Sequence, residues 1–360
     1  MIPLAWALRA AGHEVLVATA GAALVAARAG LPVVDVAPGF DMGAQFDKMR
    51  REQPELVAEM LAARLTDLRA VIPQFARIAD LLVDGVVQAA EQWQPDVIVQ
   101  STTQGSGLVA ASKLGIPLVD HGFGLARSGD VHDLLRENMG AAFARHGVDT
   151  LPGRTAHIDV APPSLLTERP TGWSMRYVPY GGGTVLPPWL LRERGGRPRI
   201  AVTLGTVAPS TTGLGPVERI IDAAGGIDAD FVIALGDADT SGLGTLPPNV
   251  QVAGWIPLPA LLRVSSALVH HGGSGSTLGA LVAGLPQLVL PSGADRHING
   301  NAVHNTGAGI CAEEEELDAR LLEHLLGEEK LRSRAREVSA EIAALPSPAR
   351  IVDDITALTR

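Results

Sequence analysis

Short apolar runs alternate with helical patterns along the chain, and this alternation constrains the fold more than any other feature. The runs PDVIVQS (95–101) and IPLVDHG (116–122) read as strands, and GLVAASKLG (107–115) between them reads as a helix. Strands that are apolar on both faces are typical of parallel sheets covered by helices on each side. The second half repeats the scheme, with strands predicted at 198–206, 230–237, 249–256, 267–273 and 286–291. The sequence therefore predicts an α/β protein built on parallel sheets.

Chain length and one Gly/Pro-rich stretch predict a division into two domains. The chain has 360 residues, which is enough for about two ordinary domains. The stretch from Val178 to Pro198 has the composition of a hinge. We therefore predict an N-terminal domain over 1–185, a linker over 186–197 and a C-terminal domain over 198–345. We expect the last helix, within 346–360, to pack back on the N-terminal domain.

The chain opens inside what reads as the first helix of a doubly wound sheet, at PLAWALRAA (3–11). The first strand of such a sheet normally lies centrally, and the loop after it faces the ligand crevice. A domain without that strand would expose unpaired strand edges. We therefore expect the natural protein to carry a further segment upstream of Met1, which the intact mass of native protein tests.

Charge and composition argue against several classes of function. The net charge is −10 and no cluster of Lys and Arg occurs, whereas a nucleic-acid-binding protein needs a basic face. No apolar run reaches the roughly 20 residues of a membrane-spanning helix, and the N-terminus lacks the basic region of a signal peptide. The single cysteine, Cys311, fits a reducing compartment. These features predict a cytoplasmic protein with no nucleic-acid or membrane partner.

The segment LVHHGGSGST (268–277) carries the clearest chemistry in the sequence. A strand ends there, small residues turn the chain, and a helix begins whose first-turn amides can bind an anion. Hydroxyl groups follow the turn, and His271 can add a hydrogen bond that is stronger when its ring is protonated. The sequence contains no GxxxxGK[ST] and no supported GxGxxG pattern. We predict a phosphate site, with a purely steric glycine turn as the alternative.

The C-terminal motifs together resemble the donor-binding half of GT-B natural-product glycosyltransferases. They are Gly254–Pro257, His270–Thr277, Ala283–Gln287 and Pro291–Asp295. The resemblance extends over nearly the whole chain, with a weaker match in the N-terminal half. It is closest to bacterial enzymes that attach deoxysugars from dTDP-sugars to polyketide and enediyne-like antibiotics. It implies two Rossmann-like parallel-sheet domains that face each other across a cleft.

The resemblance also implies roles for individual residues in binding the nucleotide. Trp255 would stack on or flank the base while the backbone of Ile256 reads its edge, although a core tryptophan is the alternative. Gly205 and Thr206, at the end of a strand, would lie near the diphosphate. The residues of the glycine-rich turn and helix start would hold that diphosphate: His271, Gly273, Ser274, Gly275, Ser276 and Thr277.

Sugar recognition is assigned in the same way to two neighbouring residues. Asp295 would accept hydrogen bonds from the sugar hydroxyls. Glutamine follows this aspartate in much of the family, but Arg296 follows it here. The change puts recognition of an ordinary hexose in doubt and fits an unusual deoxysugar, although Arg296 could equally face solvent.

The general base is not evident from the motifs. In many relatives a histidine after the first strand removes the acceptor proton, and by this reading it would lie upstream of Met1. The position of the acid that orients such a histidine is taken by Ser101. Asp120 and His121, at another strand end, are the substitute catalytic pair, because histidine titrates near neutrality. The alternative is that His121 only shapes the pocket; His132 and His146 are weaker candidates.

The sequence thus predicts an inverting glycosyltransferase that moves a sugar from a dTDP-sugar or UDP-sugar to a small-molecule aglycone, a polyketide by resemblance. No metal site and no cofactor are expected, and a homodimer stays open. Two other functions remain open at this point. A sugar-nucleotide epimerase can share this two-domain plan, and a non-catalytic nucleotide-binding partner would explain the missing base. Turnover discriminates between them, since only a transferase needs an acceptor.

Overall fold

The chain divides into two compact units. The computed structural model describes residues 1–55, 57, 67–127, 129–166, 172–191, 196–205, 215–236, 239–291, 293 and 295–360. The N-terminal unit comprises Met1–Ala161, Glu168–Arg176 and Leu345–Arg360. The C-terminal unit comprises Pro162–Thr167 and Tyr177–Ala344. The longer segment of the second unit begins at Tyr177, whereas the sequence placed the linker at 186–197.

The described part of the N-terminal unit contains two separate parallel sheets. One pairs β1 (Val17–Thr19) with β2 (Val33–Asp35). The other has the order β3-β4-β5-β6, with all neighbours parallel. Its strands are β3 (Ile98–Ser101), β4 (Leu118–His121), β5 (Thr155–Asp159) and β6 (Trp173–Ser174). The helices of this unit are α1 (Ile2–Ala10), α2 (Met42–Glu52), α3 (Ile72–Trp93), α4 (Gly105–Leu114), α5 (Val131–Asn138), α6 (Gly140–Arg145) and α13 (Pro348–Leu358).

Helix α3 shows how the sequence builds the core of this unit. Its fully buried residues recur at intervals of three or four: Ile72, Ala76, Ala79, Val83, Val87 and Ala90. That spacing places them on one face of the helix. The helix has a proline in its first turn, where proline is tolerated, and Gln94 caps its end in the left-handed conformation. Together with α4 and α5, this face forms one continuous apolar core.

The segment Gly21–Ala29 is helical but does not form an ordinary α-helix. It forms a 3-10 helix that ends on Gly30 at φ +73°. None of its residues is fully buried. Since most helices in proteins gain their stability from one buried face, this segment lacks the packing that would favour the α form.

The described part of the C-terminal unit contains one parallel sheet in the order β12-β11-β10-β7-β8-β9. Its strands are β7 (Arg199–Thr203), β8 (Asp230–Ala234), β9 (Val250–Ala253), β10 (Ala267–His270), β11 (Gln287–Val289) and β12 (Gly309–Cys311). Its helices are α7 (Gly215–Ala224), α8 (Leu258–Arg263), α9 (Ser274–Val282), α10 (Arg296–Thr306), α11 (Ala319–Gly327) and α12 (Glu329–Ala344). Short 3-10 helices lie at Pro163–Leu165, Pro188–Leu191 and Glu314–Glu316.

Both faces of this sheet are covered by apolar side chains, as continuous apolar strands predict. On β7, Ile200 and Val202 join one core cluster and Ala201 joins the cluster on the other face. The strand order reverses between β7 and β10, which lie side by side at the centre. In open α/β sheets such a reversal point, at the carboxyl ends of the strands, is where ligands bind.

Within the described part of the chain, every helix is too short or too polar to cross a lipid bilayer.

Gly85 tests the packing of α3 against the two-stranded sheet. A Cβ atom added at Gly85 would lie 1.8 Å from the carbonyl oxygen of Val36, directly after β2. Alanine is the better helix former by about 1 kcal/mol, but overpacking against the backbone outweighs that gain. We expect Gly85→Ala to destabilise the protein by about 2 kcal/mol or more, measured by thermal unfolding.

Gly140→Ala is the matched control, because Gly140 also lies in a helix and an added Cβ would meet nothing within 4 Å. It should leave the melting temperature unchanged or slightly higher. Equal melting temperatures for both variants would contradict the close approach of α3 to Val36.

Candidate functional site

The residues singled out in the C-terminal half come together at the carboxyl edge of the six-stranded sheet. Gly205 follows β7, Trp255 follows β9, His271 follows β10 and Asp295 follows β11. His270 and Thr203 are partners in the register of β10 and β7. Gly205 and His271 therefore lie just beyond the ends of these two central strands, where the strand order reverses. The position matches the ligand crevice of open α/β sheets.

His270 fixes the turn that leaves β10. It is fully buried, its Nε2 lies 2.8 Å from Oε1 of Gln287, and the backbone N–H of Gly272 donates to its Nδ1 at 3.1 Å. An amide can only donate, so Nδ1 accepts and Nε2 donates to Gln287. Burial lowers the pKa of His270 to about 4, which favours the neutral ring that this arrangement requires. His270 therefore ties the turn to β11 and is not a ligand-binding residue.

The ring of His271 lies between two glycines. A Cβ added at Gly205 would lie 2.5 Å from its Cε1, and a Cβ at Gly273 would lie 2.5 Å from its Nε2. Any larger residue at either position would displace the ring. The two glycines thus make room for the ring of His271. The sequence had predicted only that they lie near the diphosphate. Gly205 also has φ +73°, which favours glycine.

The surroundings of His271 favour the neutral form of its ring. Burial, with the nearby His270 and Arg296, lowers its pKa to about 3, and the backbone of Thr203 opposes this shift only in part. Its Nδ1 is buried and makes no hydrogen bond of standard geometry to the described residues. The Nε2 atom, between Gly205 and Gly273, lies at the amino end of α9. An anion bound there would raise the pKa of the ring and strengthen its hydrogen bond.

Helix α9 begins without a side-chain cap. Its N-cap residue is Gly273, which has no side chain to accept from the first-turn amides. The first hydrogen bond of the helix runs from the N–H of Thr277 to the carbonyl oxygen of Gly273 at 3.0 Å. The backbone amides of Ser274, Gly275 and Ser276 come before it in the chain and form the first turn. Gly275 is exposed, and Ser274 and Ser276 are half-buried. Uncapped amides at the start of a helix favour the binding of an anion.

Two hydroxyls expected at the diphosphate are engaged elsewhere. Thr277 is fully buried and its hydroxyl donates to the carbonyl oxygen of Gly273 at 3.0 Å, so its role as a diphosphate ligand stays a prediction. Ser274 donates its hydroxyl to Oδ2 of Asp295 at 2.8 Å, so its contact with a phosphate is restricted to its backbone amide in this arrangement. Thr206 lies outside the described residues.

Asn299 was missed in the sequence and connects the glycine turn to Asp295. It is fully buried on α10, and its Nδ2 donates to the carbonyl oxygen of Gly272 at 2.8 Å and to Oδ2 of Asp295 at 3.1 Å. The same amide thus links the glycine turn to the carboxylate through Oδ2. Its position four residues after Asp295, on one helix face, is the signal that could have found it.

Arg296 follows Asp295 as the first residue of α10. It is half-buried, and burial lowers its pKa while Asp295 acts in the opposite direction. Since an arginine stays charged under such a shift, it brings a positive charge close to His271. The alternative that Arg296 simply faces solvent does not fit its burial.

Trp255 is a surface residue and not part of a core. Its side chain is 54% exposed, and its ring lies 3.6 Å from a Cβ built on Gly236 and 4.0 Å from one built on Gly182. The neighbouring Ile256 is half-buried and packs on the apolar cluster of one sheet face. An exposed indole held by its neighbours presents a flat π face to a ligand.

In the N-terminal unit, the sequence-predicted catalytic residues lie at the end of β4. His121 is buried, and burial lowers its pKa to about 3. The near-neutral titration for which it was selected is therefore absent. Adjacent strand residues face opposite sides of a sheet, and Asp120 pairs with His132 instead of His121. His146 pairs with Asp84 on α3 at 2.7 Å, a carboxylate that is largely exposed.

Among the described residues, no three His, Cys, Asp or Glu side chains are grouped so that they could hold a metal ion.

The buried histidines predict loss of stability in acid. The pKa values of His121, His270 and His271 are lowered from 6.5 to about 3, 4 and 3. A depressed histidine pKa leaves stability intact above about pH 6.5 and removes it as the pH falls towards the folded value, because the unfolded chain binds the proton first. We expect the unfolding free energy to fall between pH 6.5 and 4.5.

His270→Gln should reduce this slope by up to about 1.4 kcal/mol per pH unit, the amount for one proton. Denaturant unfolding at several pH values measures it. Gly85→Ala serves as the control, since it lowers stability without removing a titrating group. The same slope in wild type and His270→Gln would show that His270 does not stay neutral in the folded state.

Comparison with known proteins assigns the family. Residues 6–205 match the model of the Erythromycin biosynthesis protein CIII-like N-terminal domain, and residues 218–358 match that of the C-terminal domain. The elloramycin glycosyltransferase ElmGT of Streptomyces olivaceus is 44% identical over 97% of this chain and 91% of its own length.

Solved structures give the same result. The glycosyltransferase SnogD from Streptomyces nogalater matches with a TM-score of 0.87 and 38% identity, over 100% of this chain and 95% of SnogD. The glycosyltransferase SsfS6 of Streptomyces sp. SF2575, complexed with thymidine diphosphate, matches with a TM-score of 0.77 and 30% identity, over 99% and 95%. The chain therefore belongs to the Erythromycin biosynthesis protein CIII-like glycosyltransferases and has their GT-B fold.

Proposed function

We propose that this glycosyltransferase transfers a deoxysugar from a dTDP-sugar, or a UDP-sugar, to a natural-product aglycone of the polyketide class. The observation that carries the proposal is the position of His271 between Gly205 and Gly273, at the uncapped start of α9 and at the reversal point of the strand order. The relative ElmGT is named for an antibiotic, and SsfS6 is complexed with thymidine diphosphate. Both names agree with the proposed substrate classes.

The donor binds along the carboxyl edge of the C-terminal sheet. Trp255 stacks on the pyrimidine, whose π face suits an exposed indole. The first-turn amides of α9 and the Nε2 atom of His271 bind the diphosphate. Asp295, whose Oδ2 is held by Ser274 and Asn299, accepts from a sugar hydroxyl.

The reaction is a single displacement with inversion. The acceptor oxygen attacks the anomeric carbon, and the bond from that carbon to the diphosphate oxygen breaks. The electron pair leaves on the diphosphate, where negative charge grows. Prepositioned amides and His271, whose pKa rises beside that charge, stabilise it. The proposal includes no metal and no cofactor.

The other functions considered have less support. The comparisons give no support to an epimerase, and the named relatives are transferases, which also argues against a non-catalytic binding partner. We assign the aglycone to the N-terminal unit because the donor residues lie in the other unit. Cytoplasmic localisation and the formation of a homodimer stay predictions.

Calorimetric titration with dTDP, UDP and ADP tests the donor site. We expect dTDP to bind best. His271→Ala should weaken it roughly tenfold, about 1.4 kcal/mol, the scale of one charge-assisted hydrogen bond. Trp255→Ala should weaken it by about tenfold or more, since stacking of a base on an aromatic ring contributes about 1–3 kcal/mol.

Trp93→Ala is the matched control, because Trp93 is an exposed tryptophan at the end of α3 in the other unit. It should leave dTDP affinity unchanged. A folded protein that binds none of the three nucleotides, or binds dTDP equally well in all variants, would refute the assigned donor site.

A further inference from the structure

A loop that begins at Tyr177 packs along the edge of the C-terminal sheet where the proposed donor site lies. A Cβ built on Gly181 would lie 2.9 Å from Cδ of Pro259, which leaves little room for a larger residue. Gly182 has φ +76°, and a Cβ built on it would lie 4.0 Å from Cζ2 of Trp255. The loop and these partners belong to the same unit. The loop is therefore held against the residues that follow β9, next to the indole that is proposed to stack on the base.

The other end of this loop lies at the start of α9. The phenol oxygen of Tyr177 is 3.9 Å from a Cβ built on Gly275, in the first turn of the helix. Apart from the residues next to Gly275 and the backbone of α9 itself, no other described atom comes within 4 Å of that position. Gly275 is exposed, so the space between the phenol oxygen and the first turn is open to a ligand.

The hydroxyl of Tyr177 is not engaged by the described part of the protein. It makes no hydrogen bond to another described residue, although its side chain is half-buried. Polar groups in such surroundings are normally hydrogen-bonded to protein, water or a ligand. Burial raises the pKa of this phenol, so it keeps its proton at neutral pH and can donate. The hydroxyl is thus an unused donor beside the uncapped amides of α9.

The groups around the start of α9 form a set of donors. The first-turn amides can only donate, and the neutral ring of His271 can donate through one nitrogen. Arg296 brings a positive charge close to that ring. The carboxylate of Asp295 is already supplied with donors by Ser274 and Asn299. A donor-rich surface of this kind suits an anion with several oxygens, which point in different directions and cannot all meet one helix end.

We propose that the Tyr177 hydroxyl donates a hydrogen bond to the diphosphate of the nucleotide sugar and that Tyr177 is a binding residue of the donor site; this rests on the proposed function. The hydroxyl meets the first turn of α9, whereas the base is assigned to Trp255, at the other end of the loop. Its partner is therefore a phosphate oxygen and not the base. Pro179, whose ring fixes its backbone, and the closely packed Gly181 limit the movement of the loop. The hydroxyl is thus positioned before the nucleotide binds.

Binding of dTDP and of thymidine to Tyr177→Phe tests the proposal, because the substitution removes the hydroxyl and keeps the ring. Loss of a hydrogen bond to a charged group should weaken dTDP by about tenfold or more, measured by calorimetry. Thymidine has the base and the pentose but no phosphate, so its dissociation constant, measured by competition with dTDP, should be the same in wild type and variant. The melting temperature should stay near wild type, since the hydroxyl has no partner among the described residues.

Tyr180→Phe is the matched control, because Tyr180 is the other tyrosine of the chain and is 38% exposed. It has no atom within 4 Å of a Cβ built on Gly275. It should keep wild-type affinity for dTDP. The loss in Tyr177→Phe should also be the same at about pH 6.5 and about pH 8.5, because a phenol stays protonated over that range.

The outcomes separate this proposal from the proposed function. Equal binding of dTDP by wild type and folded Tyr177→Phe, or a loss of thymidine affinity as large as the loss for dTDP, would overturn the contact between Tyr177 and the diphosphate. An equal loss of dTDP affinity in Tyr180→Phe would overturn it as well. A folded wild-type protein that does not bind dTDP would overturn the proposed function and the role of Tyr177 with it.

Discussion

The two hydrogen bonds of the buried His270 ring hold the donor site together. Through Nδ1 the ring takes the amide of the glycine turn, and through Nε2 it reaches Gln287 on the next strand. The turn so fixed places His271 against Gly205 and Gly273. Asn299 then ties the carbonyl oxygen of Gly272 to Asp295. One satisfied histidine thus sets the positions of the groups that are proposed to bind diphosphate and sugar.

Buried polar groups are satisfied only in part in both units. Around His270 in the C-terminal unit, ring nitrogens and backbone groups satisfy each other, which rigidifies the turn before a ligand arrives. Nδ1 of the neighbouring His271, by contrast, has no partner among the described residues. Along β3 to β5 of the N-terminal unit, both oxygens of Asp120 are hydrogen-bonded, whereas single atoms of Gln100, Asp159 and Arg127 have no partner within the described ranges.

The sequence predicted the α/β class, most strands, and the strand, turn and helix start that form the proposed diphosphate site, because these depend on local patterns. A strand followed by a glycine turn and the start of a helix can be recognised within ten residues, as at 268–277. The roles of single side chains depended on distant partners. The Ser274 hydroxyl donates to Asp295, 21 residues away, and Asp120 pairs with His132 on a following helix. No local pattern shows that His121 is buried deeply enough to lose its near-neutral pKa.

Strand β5 and the short edge strands β6 and β12 also escaped prediction. β6 has two residues and β12 has three, one of them a glycine. Such segments are extended because a neighbouring strand pairs with them and not because of their own composition. Gly309, for example, sits where an added Cβ would lie 2.2 Å from the carbonyl oxygen of Gln287. The neighbouring strand therefore determines the structure of this segment, and it approaches so closely that only glycine fits at position 309.

A crystal structure of the protein with dTDP would test the central claim most directly. The account predicts diphosphate oxygens at about 3 Å, a hydrogen-bond distance, from Nε2 of His271 and from the first-turn amides of α9, with the base on the face of Trp255. A diphosphate bound away from the β7–β10 reversal point, leaving His271 and those amides uncontacted, would contradict it.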